Sequence, residues 1–404
     1  MIFHKNLLRS AMIIQRSPDR LLRRRLRAAL ALAVACSLPY QPAFSNPAIT
    51  AGAENLFRDT GATALVVITV RGRDVRMQTF GETSPGSLCL PDSRSLIRLC
   101  SITKLFTADI LGRMVADHEV RLEDPLQHFA PRGVRIPTTA IRGRVGQPIT
   151  LLELATHTAG IAREVGPEPA NAAPFTFPTF TGRWKWLQRQ KLLSPPGSAA
   201  LYSNVGFDLL ADALQSSTGI PYPKLLSQRL LDPLGMKSTT FQPTAEECAH
   251  LLRSLRNDGP CTDTIATDGS AGLYSTPADM ARWLRYLVGD SSVNLQKESV
   301  SQEIYFIPSQ LRSTRGLNHA GRPSGIGLGW LRLGTPNGRS IIMEKTGAGG
   351  GFITYVAVNF AEHTAIFFAF TAGNREWRSN PFSAANHLLL GMSGLPPIGG
   401  VAEW

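Results

Sequence analysis

With 404 residues and 43% hydrophobic content, the chain can bury one large core or the cores of two to three ordinary domains. Its net charge of +12 suggests an acidic partner, but residues 1–45 hold eight basic side chains against Asp19 alone. The modest remaining excess is spread along residues 46–404, which argues against nucleic acid as a partner.

The chain opens with a basic run, "RLLRRRLR", followed by "AALALAVACSLP", an apolar stretch too short to anchor in a bilayer. Small residues in "AFS" at 43–45 suit a cleavage near Asn46, so residues 1–45 are expected to be an export signal. Met12 is an alternative start. A lipid anchor at Cys36 is the weaker alternative, because Ala33 stands where Leu is usual. No later stretch is long and apolar enough for a transmembrane helix, so the mature chain is expected to be soluble or peripheral.

"ALVVITV", "RGRD" and "VRMQTFG" predict two strands joined by a tight turn. Leu105, Phe106, Ile110, Leu111, Met114 and Val115 recur at three- and four-residue steps and predict an amphipathic helix starting near Ser101. "LEDPLQHFAP" predicts a loop and a short helix broken by proline. Thr150 and Glu153 form a capping-box pattern at the head of "ITLLELATHTAGI". Residues 166–181 should be an irregular surface loop. "RWKWLQRQK" at 183–191 is expected to be an exposed amphipathic helix with Trp184 and Trp186 partly buried; contact with anionic wall polymer or membrane is the alternative. "NVGFDLLADALQSSTG" predicts a helix ended by Gly219, and "YPKLLSQRLLDPLGM" another.

From about residue 320 the runs "GLGWLRL", "RSIIMEKT", "GFITYVAVNF" and "TAIFFAFTAG" predict strands, and "FSAANHLLLGM" a closing helix. Strands at both ends with helices between predict an α/β (α+β) fold in which one antiparallel sheet takes strands from both ends of the chain. The sheet part would span about 46–110 and 266–404, with a helical insertion at about 111–265. A cleft between them is the natural place for a site.

Export permits disulfides. Cys248 and Cys261 are the expected pair, since the segment between them can fold as a helix and a turn that bring its ends together. Cys89 and Cys100 are left as pairing or reduced.

Three short patterns carry chemistry. Ser101 and Lys104 are three residues apart and share a helix face. "YSN" at 202–204 lies just before a helix, and "KTG" at 345–347 ends a strand. No G-x-S-x-G elbow accompanies His157, so a Ser–His triad is not expected, and His157 is read as a buried loop-structuring residue. "GIGLG" and "GAGGG" lack the spacings of nucleotide-binding loops, and no zinc-type cluster is present, so no cofactor or metal is expected.

In the order S-x-x-K, Y-x-N, K-T-G, the chain resembles the serine penicillin-binding proteins and the class C β-lactamase-like branch. The stretches "LATHTAGIARE", "LLDPLGMKSTTF", "GLYSTPADMARW" and "EKTGAGGGFITY" look like the AmpH-type D-alanyl-D-alanine carboxypeptidase/endopeptidases. The resemblance, over about residues 55–395, implies a β-lactamase/transpeptidase-like fold and a periplasmic enzyme that acts on peptidoglycan stem peptides and binds β-lactams. It implies that Ser101 is the nucleophile, Lys104 its base and Tyr202 a second proton carrier. Asn204 would orient Lys104 and the substrate amide. Lys345 and Thr346 would hold the terminal carboxylate, and Gly347 would admit the substrate close to the strand. The N–H groups of Ser101 and Ala348 would form the oxyanion hole. A β-lactamase or esterase on the same machinery, or a non-catalytic wall sensor, are the alternatives.

Overall fold

The computed structural model describes residues 47–139, 146–255, 258–289, 299–334, 341–373 and 376–398. The expected export signal, Met12 and Cys36 lie outside the described residues. A helix that periodicity did not predict, α1 (Pro47–Thr60), comes first. It leads into the hairpin of β1 (Ala64–Arg71) and β2 (Asp74–Gly81). The later strands are β3 (Gly325–Ile326), β4 (Leu331–Leu333), β5 (Ile342–Gly349), β6 (Phe352–Asn359) and β7 (Thr364–Thr371). They form one sheet in the order β2-β1-β7-β6-β5-β4-β3, with every neighbouring pair antiparallel.

The expected joining of the two chain ends is therefore present: Leu65 of β1 faces Phe370 of β7. Side chains alternate between two cores, as the two-residue strand period requires. Val66, Ile68, Val70, Phe367 and Ala369 enter the larger core, beneath the helices of residues 100–290. Leu65, Val67, Ile366, Phe368 and Phe370 enter the smaller one, against α1 and the C-terminal helix Pro381–Ser393. Burial on both faces is why these strands read as unbroken apolar runs.

In chain order, helices after α1 include α2 (Thr103–Ala116), α3 (Leu151–Ala155), α4 (Phe180–Leu187), α5 (Asn204–Thr218), α6 (Pro277–Leu287) and α7 (Pro381–Ser393). The capping box at Thr150 and Glu153 forms, and Gly219 ends α5 in the left-handed conformation that favours glycine.

One expectation needs correction. α2 is not amphipathic: every residue from Thr103 to Met114 is buried. It lies in the middle of the molecule, with Phe106 stacked on Trp283 of α6 and Tyr222 bonded to Thr107. Its polar side chains find partners within the protein, Asp109 through Oδ1 only. Arg113 pairs with Asp109 at 2.8 Å, and Thr107 donates to the Gly269 carbonyl.

The segment 183–191 also differs. Trp184 is buried, Trp186 is half-buried, and Arg183 is wholly buried rather than exposed. Arg183 makes a two-pronged bond to Asp212 (2.8 and 2.9 Å) and lies within 4.0 Å of Asp208 and 3.8 Å of Asp268. Cys248 and Cys261 are bonded, with their Cα atoms 5.7 Å apart. Cys100 keeps a free, buried thiol, so it does not pair with Cys89.

Candidate active site

The chain crosses from the small strand pairing of Ile97–Arg98 with Tyr274–Ser275 into a single 3₁₀ turn, Cys100–Ile102, which runs on into α2. Cys100 takes a left-handed φ of 52°, a conformation costly for a residue with a Cβ. Burial pushes its thiol up to about 12, so it stays protonated, and its Sγ contacts the Gly349 carbonyl at 3.3 Å. The turn sets Ser101 against β5. A Cβ at Gly347 would meet the Ser101 nitrogen at 3.0 Å and the Thr354 hydroxyl at 2.3 Å, so only glycine allows this approach.

Ser101 Oγ has two polar neighbours. The Tyr202 hydroxyl donates to it at 2.6 Å, and Lys104 Nζ lies at 3.2 Å. Lys104 Nζ also donates to Asn204 Oδ1 at 2.6 Å and to the Ser270 carbonyl at 2.8 Å. Both of these partners can only accept. A neutral amine spends its two N–H bonds on them, and its lone pair is then left facing Ser101. Asn204 itself starts α5, and its Nδ2 donates to Glu164. Lysine on one side and carboxylate on the other fix the orientation of that amide.

Burial lowers the Lys104 pKa to about 7; Asp208 and Glu164 oppose the shift, and Arg163 adds to it. Burial is therefore the main cause, ahead of any neighbouring cation. Lys345 is buried too, and its pKa is lowered chiefly by burial. Its Nζ lies 5.0 Å from the centre of the Tyr202 ring, as does that of Lys104, and donates to the Thr346 carbonyl at 3.0 Å.

Thr346, Gly347 and Ala348 line a cavity of about 970 Å³ that opens at Ser101 and Tyr202. Every expected site residue is thus gathered here. Lys104, Asn204 and Lys345 do not line the cavity itself; the two lysines stand beside the Tyr202 ring, and Asn204 is bonded to Lys104. His157 makes no pair with Ser101. Its Nδ1 accepts from the Ser203 N–H at 3.1 Å, and its ring packs 4.5 Å from that of Tyr202. Burial and the nearby cations hold it neutral, well below the usual histidine range.

Sequence reasoning passed over Arg163, Glu164, Asp208 and Ser270. Arg163 lies 4.7 Å over the Tyr202 ring and pairs with Glu164 at 3.6 Å. A signal for Asp208 existed: with Asp212 it puts two carboxylates on one face of an otherwise apolar helix. Among the described residues no cluster could hold a metal.

A β-lactamase family model matches residues 53–388. The chain is 37% identical to the D-alanyl-D-alanine-carboxypeptidase/endopeptidase AmpH of Escherichia coli K12, over 89% of this chain and 92% of that protein. Among solved structures, a β-lactamase/D-alanine carboxypeptidase from Yersinia pestis superposes with a TM-score of 0.79 at 38% identity, covering 85% of this chain and 97% of that one. A class C β-lactamase from Rhodobacter sphaeroides shares the fold, with a TM-score of 0.67 at 20% identity over 86% and 99% of the two chains.

Proposed function

The chain is a serine hydrolase of the β-lactamase family, and from that premise we propose that it is a DD-peptidase of peptidoglycan stem peptides. The observation that carries the reading is the set of contacts around Lys104: two acceptor-only partners and Ser101 Oγ, on an amine whose pKa has fallen to about 7. That arrangement suits a base beside a hydroxyl.

Ser101 Oγ attacks the carbonyl carbon of the penultimate D-residue, and Lys104 takes its proton. The charge that develops on the carbonyl oxygen is met by the N–H groups of Ser101 and Ala348. Donors of this kind are worth about 3 kcal/mol of barrier each. The C–N bond then breaks, and the Tyr202–Lys104 pair returns the proton to the leaving amine. Water clears the ester by the reverse proton path. Lys345 acts through the tyrosine and the Thr346 strand, drawing the substrate carboxylate towards Thr346. Asn204 keeps Lys104 aimed.

The enzyme works in the periplasm after export by residues 1–45, binds penicillins at Ser101, and associates at most peripherally with wall or membrane. Among the described residues no helix is long and apolar enough to cross a membrane. The catalytic domain is residues 46–404, with its sheet part at about 46–110 and 266–404 and a helical insertion at about 111–265.

Intact-mass analysis with penicillin, followed over time beside Ser101→Ala, tests the proposal together with an assay of D-alanine release from a stem peptide. A persistent adduct on the unmodified enzyme alone, with D-alanine released, is expected. A transient adduct with rapid drug turnover and no D-alanine would establish a β-lactamase instead. No adduct and no release would overturn the acyl-serine mechanism.

A further inference from the structure

The cavity that opens at Ser101 runs on well past the reacting groups. Beyond Thr346 it crosses Ile353 of β6 and reaches α7 and the segment before it, where Trp377 and Arg378 of the segment and His387 of the helix line it. A volume of about 970 Å³ stands near the top of the range of roughly 300–1,000 Å³ usual for ligand sites. A single released amino acid would fill a small part of it.

Three features show what the far arm suits. First, its fixed charge has one sign: Arg163 and Arg378 line the cavity, and among the described lining residues there is no Asp or Glu. His319 and His387 also line it, and burial with the nearby cations lowers the His319 pKa. Glu164 offsets Arg163 at the near end, whereas Arg378 at the far end is in no ion pair among the described residues. Second, Trp377 is 43% exposed yet held firmly, edge-on to Phe370 and Phe382 at 5.8 and 5.9 Å. A fixed, half-open aromatic offers apolar contact at little entropic cost. Third, the segment is tied to α1 independently of any ligand: Arg378 N–H donates to the Asp59 carbonyl, and Ser379 Oγ to the Asp59 carboxylate. The first N–H groups of α7 are already capped by Asn380, so the arm's positive character comes from its side chains.

We infer that this arm, built by Trp377, Arg378 and His387, is a subsite for the second, acidic peptide strand of a cross-linked substrate. The inference rests on the DD-peptidase reading. In that reading the leaving residue's carboxylate is held beside Thr346, and the arm continues from there. The amide between the strands breaks, the Ser101 ester forms on the first strand, and the proton from Ser101 goes to the amine of the second. The arm holds that second strand by its carboxylates and by contact with the indole. Release of free D-alanine leaves the arm empty.

The test compares two synthetic substrates with one acyl portion. In one the leaving group is D-alanine; in the other the leaving amine belongs to a second peptide with two carboxylates. The full chain is assayed beside Arg378→Ala, Arg378→Lys and His387→Ala, all at exposed positions. Arg378→Ala should raise KM for the extended substrate, and the extended-to-short ratio of kcat/KM should fall by about fivefold. Arg378→Lys should restore most of the ratio. High salt should lower it in the unmodified enzyme. A ratio unchanged within about twofold in both alanine variants would overturn the subsite. An unmodified enzyme that releases D-alanine but never cleaves the extended substrate would overturn it too, and leave the DD-peptidase reading standing. Cleavage of neither substrate would overturn both.

Discussion

Lys104 is the residue on which the chemistry turns, and its position makes two opposite demands. Catalysis needs the amine neutral, so acylation of Ser101 should rise from pH 6 to pH 8 as the proton leaves near pH 7. Lys104→Met should slow penicillin acylation by about a hundredfold or more. Stability follows the same shift. The folded chain holds this proton less tightly than the unfolded one, so the charge is a burden below pH 7 that lifts as pH rises towards the ordinary lysine value. Melting curves should therefore show the unmodified protein gaining on Lys104→Met between pH 7 and pH 10. A constant gap would mean that the amine titrates normally. The pairing of Ser101 with Lys104 was legible, because residues three apart on a helix must meet. The cause of the lowered pKa was not. Burial on every side of α2 depends on α6 and on the chain around Gly269, and no local pattern reports those neighbours.

At the scale of elements, α4 and α5 are locked by Arg183. This one cation faces Asp208, Asp212 and Asp268, and burial raises the pKa of all three. Arg183→Met should cost about 3–5 kcal/mol at pH 8, because three buried carboxylates lose their counter-charge. The loss should shrink at pH 5, since the folded chain binds those protons more readily than the unfolded one. Denaturant melts at the two pH values check the sign. The strands and the capped helices could be read from the sequence because their signals are local: alternation, a capping box, a closing glycine. Arg183 was misplaced because its partners lie 25 to 85 residues away in sequence, and "RWKWLQRQK" taken alone is a reasonable surface helix. The far arm of the cavity was missed for the same reason. Trp377 and Ser101 become neighbours of one cavity only after the sheet has formed.

For the molecule as a whole, the Cys248–Cys261 bond closes a short loop on the side away from the sheet's smaller core. Replacing both cysteines by serine should lower stability by about 3 kcal/mol; thermal melts decide. An equal melt for the variant and the unmodified chain would show that the loop is held by other contacts. The sheet has a consequence of another kind, one of timing. β1 is made within the first seventy or so residues of the chain, but its second neighbour, β7, ends at Thr371. Until β7 is in place, β1 carries an open edge and the two cores cannot close. Any chain cut short before β7 is therefore left with a bare strand and an unfinished sheet.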